Sequence, residues 1–442
     1  MDNLFRQNEI SVNLDVMKRA NPIFNTAKTT IFLLASSGNE EAKMLVSELG
    51  LSFDSTQNAN TNKITPDTFI NTMIVIESRY RTMNELAEKS GCDVDIDLPC
   101  GYTPKALTYA RKGKRFVGLD IPAVIQEIEP EIMRLIDEGK RKFVRFSAVD
   151  ATNYDSLEKS LRGINGTFCI TTEGLLAYFT ESELAALTEN IRKILSEHGG
   201  CWITPDPEVL KIHNLISEAI FGDKLSGSSS KAVSLFEEKS DTSISKIGNS
   251  VCPGVDCNDF EEAARKGIKF FESHGFKVER LTFADNMPEL NAYSLLKPEQ
   301  VSALKEAMTH AACWKLTLRE NAKTSRTSSA GKNCEKRYGI HAKITAGILS
   351  LGLSGRLDTI TAPELLAFWE KVKAENEINA VKIDCASLEY ISSAGLRVLL
   401  IMQNGTKEGV ELSAINNTVK DIISQTGFDS LLKISESVTP RA

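Results

Sequence analysis

Positive charge, histidine, paired cysteine and long apolar runs are all scarce in this chain, and each scarcity removes a class of function. Lys and Arg number 52 against 59 Asp and Glu, a formal net charge of −7. A nucleic-acid surface needs clustered basic residues, so no nucleic-acid partner is expected. The longest apolar run, around Ile31-Phe32-Leu33-Leu34-Ala35, is far too short to span a bilayer, so no membrane partner is expected either. Nine cysteines are scattered and odd in number. With no signal peptide visible, they are expected to be reduced thiols in a cytoplasmic protein. Cys252 and Cys257 stand close, but no second pair or nearby histidine joins them, so no metal site is expected. The five histidines lie outside every motif discussed below, and no Ser-His-Asp order is visible.

What remains is a chain of 442 residues with 42% apolar content, enough for two or three domains with full cores. The pattern is helical to about Tyr80, broken by the polar stretch Ser55 to Asn62. Strand and helix signals then alternate: Val94–Leu98, a helix near Lys105–Arg111, Arg115–Leu119, a helix near Ala123–Glu138, Phe143–Ala148, Gly166–Ile170, a helix over Ser182–Glu197, and Gly200–Thr204. Such alternation predicts a parallel sheet with crossover helices. Ser226 to Ser250 lacks periodicity and reads as an insertion. Lys277–Phe283 and Cys313–Leu318 are expected to close the sheet as an antiparallel pair. The stretch from Glu320 to Asn333 is polar, with no large apolar residue, which predicts a linker. The expected division is 1–319, a linker over 320–336, and a smaller α/β domain over 337–442.

Acidic residues recur at the strand ends: Asp97, Asp120 and Asp150. Ligands of doubly wound sheets bind beyond the carboxyl ends of the strands, and an acid about twenty residues past the first turn is placed for ribose hydroxyls. A dinucleotide needs several glycines against its pyrophosphate. The turn Leu98-Pro99-Cys100-Gly101-Tyr102-Thr103-Pro104 offers one, so a cofactor without a pyrophosphate fits better. The same aspartates would also serve as plain helix caps.

Thr172-Glu173-Gly174-Leu175-Leu176-Ala177-Tyr178-Phe179 follows the fourth strand. This E-G-L-L-x-Y segment resembles the leucine carboxyl methyltransferase-like family, which includes polyketide O-methyltransferases. Ser78-Arg79-Tyr80-Arg81, Gly118-Leu119-Asp120-Ile121-Pro122 and Val149-Asp150-Ala151 extend the resemblance. It implies a Rossmann-like class I fold and S-adenosylmethionine as cofactor, held by Arg79, Asp97, Pro99, Gly101, Asp120, Ile121, Asp150, Ala151 and Glu173. Arg79 would take the cofactor carboxylate, with Arg81 a weaker alternative. Asp120 would take the ribose, Asp150 with Ala151 the adenine amine, and Glu173 the methionine end. The turn departs from the family's L-G-A-G-x-D-T-R: Pro99 replaces its first glycine, Thr103 its aspartate and Lys105 its arginine. No catalytic residue is assigned; Glu173 and Tyr178 are the candidates. Tyr178 and Phe179 are either sulfonium-facing rings or core, and Trp202 and Asp206 either line the acceptor pocket or serve as packing and cap. His213 and His274 are expected to be solvated or structural. The acceptor is a small-molecule or protein oxygen: a carboxylate, which needs no base, or a hydroxyl, which does.

Near the C-terminus, Glu389-Tyr390-Ile391-Ser392-Ser393-Ala394-Gly395-Leu396 joins a strand over Ala380–Cys385 to a helix over Ala394–Met402. Unpaired backbone N–H groups and the helix dipole favour an anion at such a junction. A plain serine N-cap explains the position equally. With Leu351-Gly352-Leu353-Ser354-Gly355-Arg356-Leu357-Asp358 and Lys382-Ile383-Asp384, the segment resembles the STAS domain of anti-sigma-factor antagonists. That resemblance makes Ser393 the phosphoacceptor and an anti-sigma-type kinase the partner. Two functions therefore stand open: a methyltransferase coupled to a phospho-regulated STAS module, or a signalling scaffold whose first domain is inactive.

Overall fold

The computed structural model describes residues 24–51, 66–222, 249–254, 257–319, 338–358, 360–425, 428 and 431–435. The expected linker 320–336 and most of the Ser226–Ser250 insertion lie outside the described residues. Two compact units emerge, one within Ile23–Arg326 and one containing Thr327–Ala442.

The first unit is built on β1 (Val94–Asp97), β2 (Arg115–Asp120), β3 (Val144–Ala148), β4 (Phe168–Thr171), β5 (Gly200–Thr204), β6 (Phe276–Thr282) and β7 (Ala312–Leu318). Their order is β3-β2-β1-β4-β5-β7-β6. β1 through β5 are parallel, and β7 inserts antiparallel between β5 and β6. Strands β1 and β4 are buried along their whole length because crossover helices cover both faces. Val94, Ile96, Phe168, Ile170, Trp202 and Trp314 form one continuous core on one of those faces. Strand order reverses between β1 and β4, which opens a crevice at their carboxyl ends.

Against the sequence, the strands begin or end within two residues of expectation. The helices Tyr154–Leu161, Phe260–Ser273 and Pro298–Ala307 went unread. The helix Pro66–Lys89 is longer and more buried than its pattern announces: Asn71, Thr72, Glu77, Ser78 and Thr82 are as enclosed as its apolar residues. It is a central element, not a surface one.

The second unit adds β8 (Gly339–Thr345), β9 (Ile348–Leu357), β10 (Ala380–Ile391), β11 (Val410–Ser413) and β12 (Lys433–Ser435), in the order β12-β11-β10-β9-β8. β8 is antiparallel to β9, and the other pairs are parallel. β9 alternates buried and half-exposed residues from Leu349 to Leu357. Its inward leucines pack on Leu365, Leu366 and Trp369 of the helix Ala362–Glu375 and on Leu396, Leu399 and Met402 of Ser393–Asn404. β10 runs six residues beyond the expected Cys385. Register shifts at Asp384/Ser387 and Leu388/Tyr390 carry it past the weakly apolar Ala386 and Ser387, where the sequence signal stops.

Candidate active site and serine loop

The crevice of the first unit gathers most of the expected residues. Asp120 ends β2 buried, and its carboxylate accepts from the backbone N–H of Gly101 at 2.8 Å and of Ile121 at 2.7 Å. Gly101 has φ +49 with open space where a Cβ would sit, so the turn curls back and presents its amide to Asp120. Burial raises the Asp120 pKa from 3.8 to about 7; the two amides oppose this and nearby Asp97 adds to it. Pro99 sits in the same turn, joined to Leu98 by a cis peptide bond.

Asp97, at the end of β1, faces inward. Thr171 Oγ1 donates to its Oδ1 at 2.7 Å, and Lys105 Nζ lies 3.4 Å away. Lys105 itself is almost fully enclosed and also pairs with Asp95 at 3.1 Å. Burial works against its charge, yet Asp95 and Asp97 more than offset that, and its pKa is raised. Burial raises Asp97 in turn.

After β4, Arg79 Nη2 meets Glu173 Oε1 at 3.0 Å. Burial raises the Glu173 pKa, Arg79 opposes it, and Asp206 and Asp97 add to it. Arg79 Nε is buried with no hydrogen-bond partner. Arg81 is occupied elsewhere, donating to Glu77 at 2.8 Å. The loop bearing Glu173 is held by a residue outside every motif. The Asp206 carboxylate accepts from the amides of Gly174, Leu175 and Leu176 at 2.7, 2.9 and 2.8 Å. Asp206 is thus a clamp on a distant loop, receiving the amides at the start of the 3-10 turn Leu176–Tyr178. Trp202 is wholly buried, edge-on to Phe271 and Phe276, with its indole N–H donating to Thr172 at 2.9 Å. Phe179 packs on the core, and Tyr178 ends the short 3-10 turn Leu176–Tyr178.

Asp150 is buried past β3 and accepts from the backbone and hydroxyl of Thr152 at 2.9 and 2.8 Å, while the Ala151 carbonyl accepts from Asn190 at 3.0 Å. Of the two histidines, His274 caps its helix, with Nδ1 2.8 Å from the Phe270 carbonyl. His213 is not solvated: it is buried in the helix Val209–Phe221, with Nε2 3.2 Å from Asn71 Nδ2. Among the described residues no His/Cys/Asp/Glu group could hold a metal ion, and no helix is long and apolar enough to cross a membrane.

In the second unit Ser392 is the N-cap. It is buried, and its hydroxyl accepts from the Gly395 amide at 3.4 Å. Ser393 is the first residue of the helix. Gly395 explains its own identity: a Cβ there would stand 2.6 Å from the Leu357 carbonyl oxygen and 2.8 Å from Leu357 Cγ. Only glycine lets this helix start press against the end of β9. Arg356 lies over the Tyr390 ring at 4.1 Å.

Comparison with known proteins divides along the same line. Residues 339–439 match the STAS domain family. An anti-sigma factor antagonist from Mycobacterium paratuberculosis is 23% identical over 23% of this chain and 88% of its own, with a TM-score of 0.22. Solved methyltransferases match the N-terminal region. An O-methyltransferase family protein from Burkholderia thailandensis is 11% identical, covering 69% of this chain and 72% of its own at TM-score 0.30. Human N-acetylserotonin methyltransferase in complex with SAM is also 11% identical, covering 64% and 65% at TM-score 0.30. No curated protein matches the chain.

Proposed function

We propose that the N-terminal unit binds S-adenosylmethionine in the β1–β4 crevice and serves transfer of its methyl group to an oxygen acceptor, while the C-terminal STAS unit regulates the chain through phosphorylation of Ser393. The observation that carries the first half is Arg79. Its Nη2 is spent on Glu173 while its buried Nε has no partner. A buried unmet guanidinium N–H is costly, and a carboxylate is the group that matches it best. Donor set and cofactor therefore fit.

When bound, S-adenosylmethionine supplies an electrophilic methyl on a sulfonium. The chain's task is to hold the two reactants in line and exclude water. Arg79 would bind the carboxylate. Asp120 would accept from the ribose hydroxyls with the lone pairs its two amides leave open. Asp150, with the backbone at Ala151, would meet the adenine amine. Glu173, fixed by the Asp206 clamp, would orient the methionine end. The acceptor is a carboxylate or hydroxyl of a small molecule or protein. In the STAS unit, a phosphate on Ser393 would lie at a helix start, where anions are favoured, and would disturb a closely packed partner, an anti-sigma-type kinase. A cytoplasmic setting suits both halves, with 320–336 as the joint between them.

A second reading has its own support. Lys105 pairs with Asp97 at the end of β1, and Arg79 pairs through one nitrogen with Glu173 beside it, so charges that could meet a cofactor already meet one another. A unit closed in this way would be a scaffold, with partner binding by the STAS unit as the whole function. Calorimetry with S-adenosylmethionine separates the two. The first reading expects saturable 1:1 binding that Arg79→Ala weakens more than tenfold. Absence of binding by the wild-type chain sinks it in favour of the scaffold.

A further inference from the structure

Three cysteines converge at the amino end of the first sheet, opposite the crevice. Cys169 and Cys201 are the second residues of β4 and β5 and stand directly opposite each other in register. On neighbouring parallel strands such a pair leaves the same face of the sheet. Both are enclosed, at 1% and 3% exposure. Cys92 reaches them from the segment between the helix Pro66–Lys89 and β1. Asp93 fixes that segment beside the start of β4: its amide donates to the Thr167 carbonyl at 3.0 Å, and its carboxylate accepts from the Thr167 amide at 2.8 Å. The Cys92 thiol thereby comes within hydrogen-bonding reach of Cys201, and Cys201 of Cys169.

The three thiols are unequal. Cys92 is only half-buried and stands between the exposed Gly91 and Asp93. Nothing lies within 4 Å of where a Gly91 Cβ would sit, so this stretch of chain is open to a small solute. The hydrogen bond from Cys201 lowers the Cys92 pKa, against the opposing effect of burial. The neighbouring hydroxyls are committed elsewhere, Ser90 donating to the Ala87 carbonyl at 2.6 Å and Thr167 to Asp93 at 2.9 Å. The Cys201 thiol is the donor that remains. Cys201 is shifted the opposite way, by its hydrogen bonds to Cys169 and Cys92 and by burial. One sulfur is thus accessible and inclined to ionise, and its neighbour is enclosed and protonated. That asymmetry suits an attacking cysteine beside a resolving one. Three thiols together would also suggest a metal, yet no group among the described residues could hold one.

We infer that Cys92 is an oxidation site for hydroperoxides and that Cys201 resolves it, giving the N-terminal unit a reversible disulfide at the foot of its sheet. The Cys92 thiolate sulfur attacks one peroxide oxygen. An S–O bond forms as the O–O bond breaks, and the departing oxygen takes up the proton that the thiol released. The Cys201 sulfur then attacks the Cys92 sulfenic acid. The S–S bond forms, the S–O bond breaks, and hydroxide leaves with the Cys201 proton as water. The two thiols lose two electrons between them, and one peroxide is reduced. A dithiol reverses the bond by exchange. The site does not depend on what the crevice binds.

The test treats the full reduced chain with equimolar hydrogen peroxide, using dimedone as the probe for sulfenic acid. Tandem mass spectrometry of tryptic peptides, after alkylation under denaturing conditions, then locates each product. The wild type should form a Cys92–Cys201 disulfide that dithiothreitol removes. Cys92 should be consumed at least about tenfold faster than Cys257, a half-buried cysteine elsewhere in the unit. In Cys201→Ala the product should change to a dimedone adduct on Cys92. Cys92→Ser, a substitution outside the core, should leave Cys201 a free thiol after the same treatment. Equal consumption of Cys92 and Cys257, a persistent sulfenic acid in the wild type, or a bond from Cys92 to Cys169 would each overturn the assignment.

Discussion

Asp120 offers the sharpest measurement of the crevice. Its pKa, raised from 3.8 to about 7 by burial, means that between about pH 4 and 7 the folded chain keeps a proton that the unfolded chain has lost. Stability contributed by this group is therefore fully present below about pH 4 and is lost as the pH rises through 7. The displacement corresponds to roughly 4 kcal/mol at pH 8. Asp120→Asn removes the buried charge but turns an amide donor toward the N–H of Gly101 or Ile121, which costs about 1–3 kcal/mol. The variant should be more stable than the wild type by about 1–3 kcal/mol at pH 8, with the gain gone by pH 5. Urea unfolding followed by tryptophan fluorescence measures this if Trp369→Phe silences the STAS unit, leaving Trp202 and Trp314 as reporters. The same charge should matter oppositely for the cofactor. Ribose hydroxyls donate to an ionised carboxylate, so wild-type affinity for S-adenosylmethionine should rise from pH 6 to 8, while the variant binds at least tenfold more weakly at pH 8. A stability difference between the two proteins that stays constant from pH 5 to 8 would refute the argument, because Asp120 would then be ionised throughout.

Asp206→Ala strands three amides, one buried and two partly buried, and should cost about 2–3 kcal/mol, read from chemical denaturation of the N-terminal unit. Gly395→Ala forces a methyl against the Leu357 carbonyl and should lower the stability of the STAS unit by about 1–3 kcal/mol; a neutral effect would mean the helix start can move aside. Ser393→Asp should weaken the complex with the cognate kinase, whereas Ser392→Ala should cost only about 1 kcal/mol of stability, and phosphopeptide mapping should place label on Ser393. Limited proteolysis should cut within 320–336 and release two folded fragments, checked by circular dichroism of each.

The sheet of the first unit was legible because strands buried on both faces write near-continuous apolar runs, as in Phe116-Val117-Gly118-Leu119. β10 was cut short because the register shift between Asp384 and Ser387 leaves Ala386 out of the ladder, and small or polar residues there interrupt the apolar alternation. The strand-end acids were legible as positions, but their surroundings were not. That Asp120 receives Gly101, or that Lys105 is enclosed between Asp95 and Asp97, depends on turns closing in three dimensions. Asp206 and His213 were noticed as residues, but what they hold had no local signal. Their partners lie about 30 and 142 residues away, and nothing in sequence spacing connects them.

The Asp206 clamp has a consequence for how this loop can vary. Its grip is entirely on backbone amides, so the path of residues 174–176 is encoded about thirty positions downstream of the loop itself. A library randomised at Leu175, whose side chain is only partly enclosed, should keep the loop's shape in many members. One randomised at Asp206 should keep it in almost none. Diversity and rigidity in this loop thus live at separate addresses, and the segment could explore new side chains at Leu175 without surrendering the backbone path that carries them.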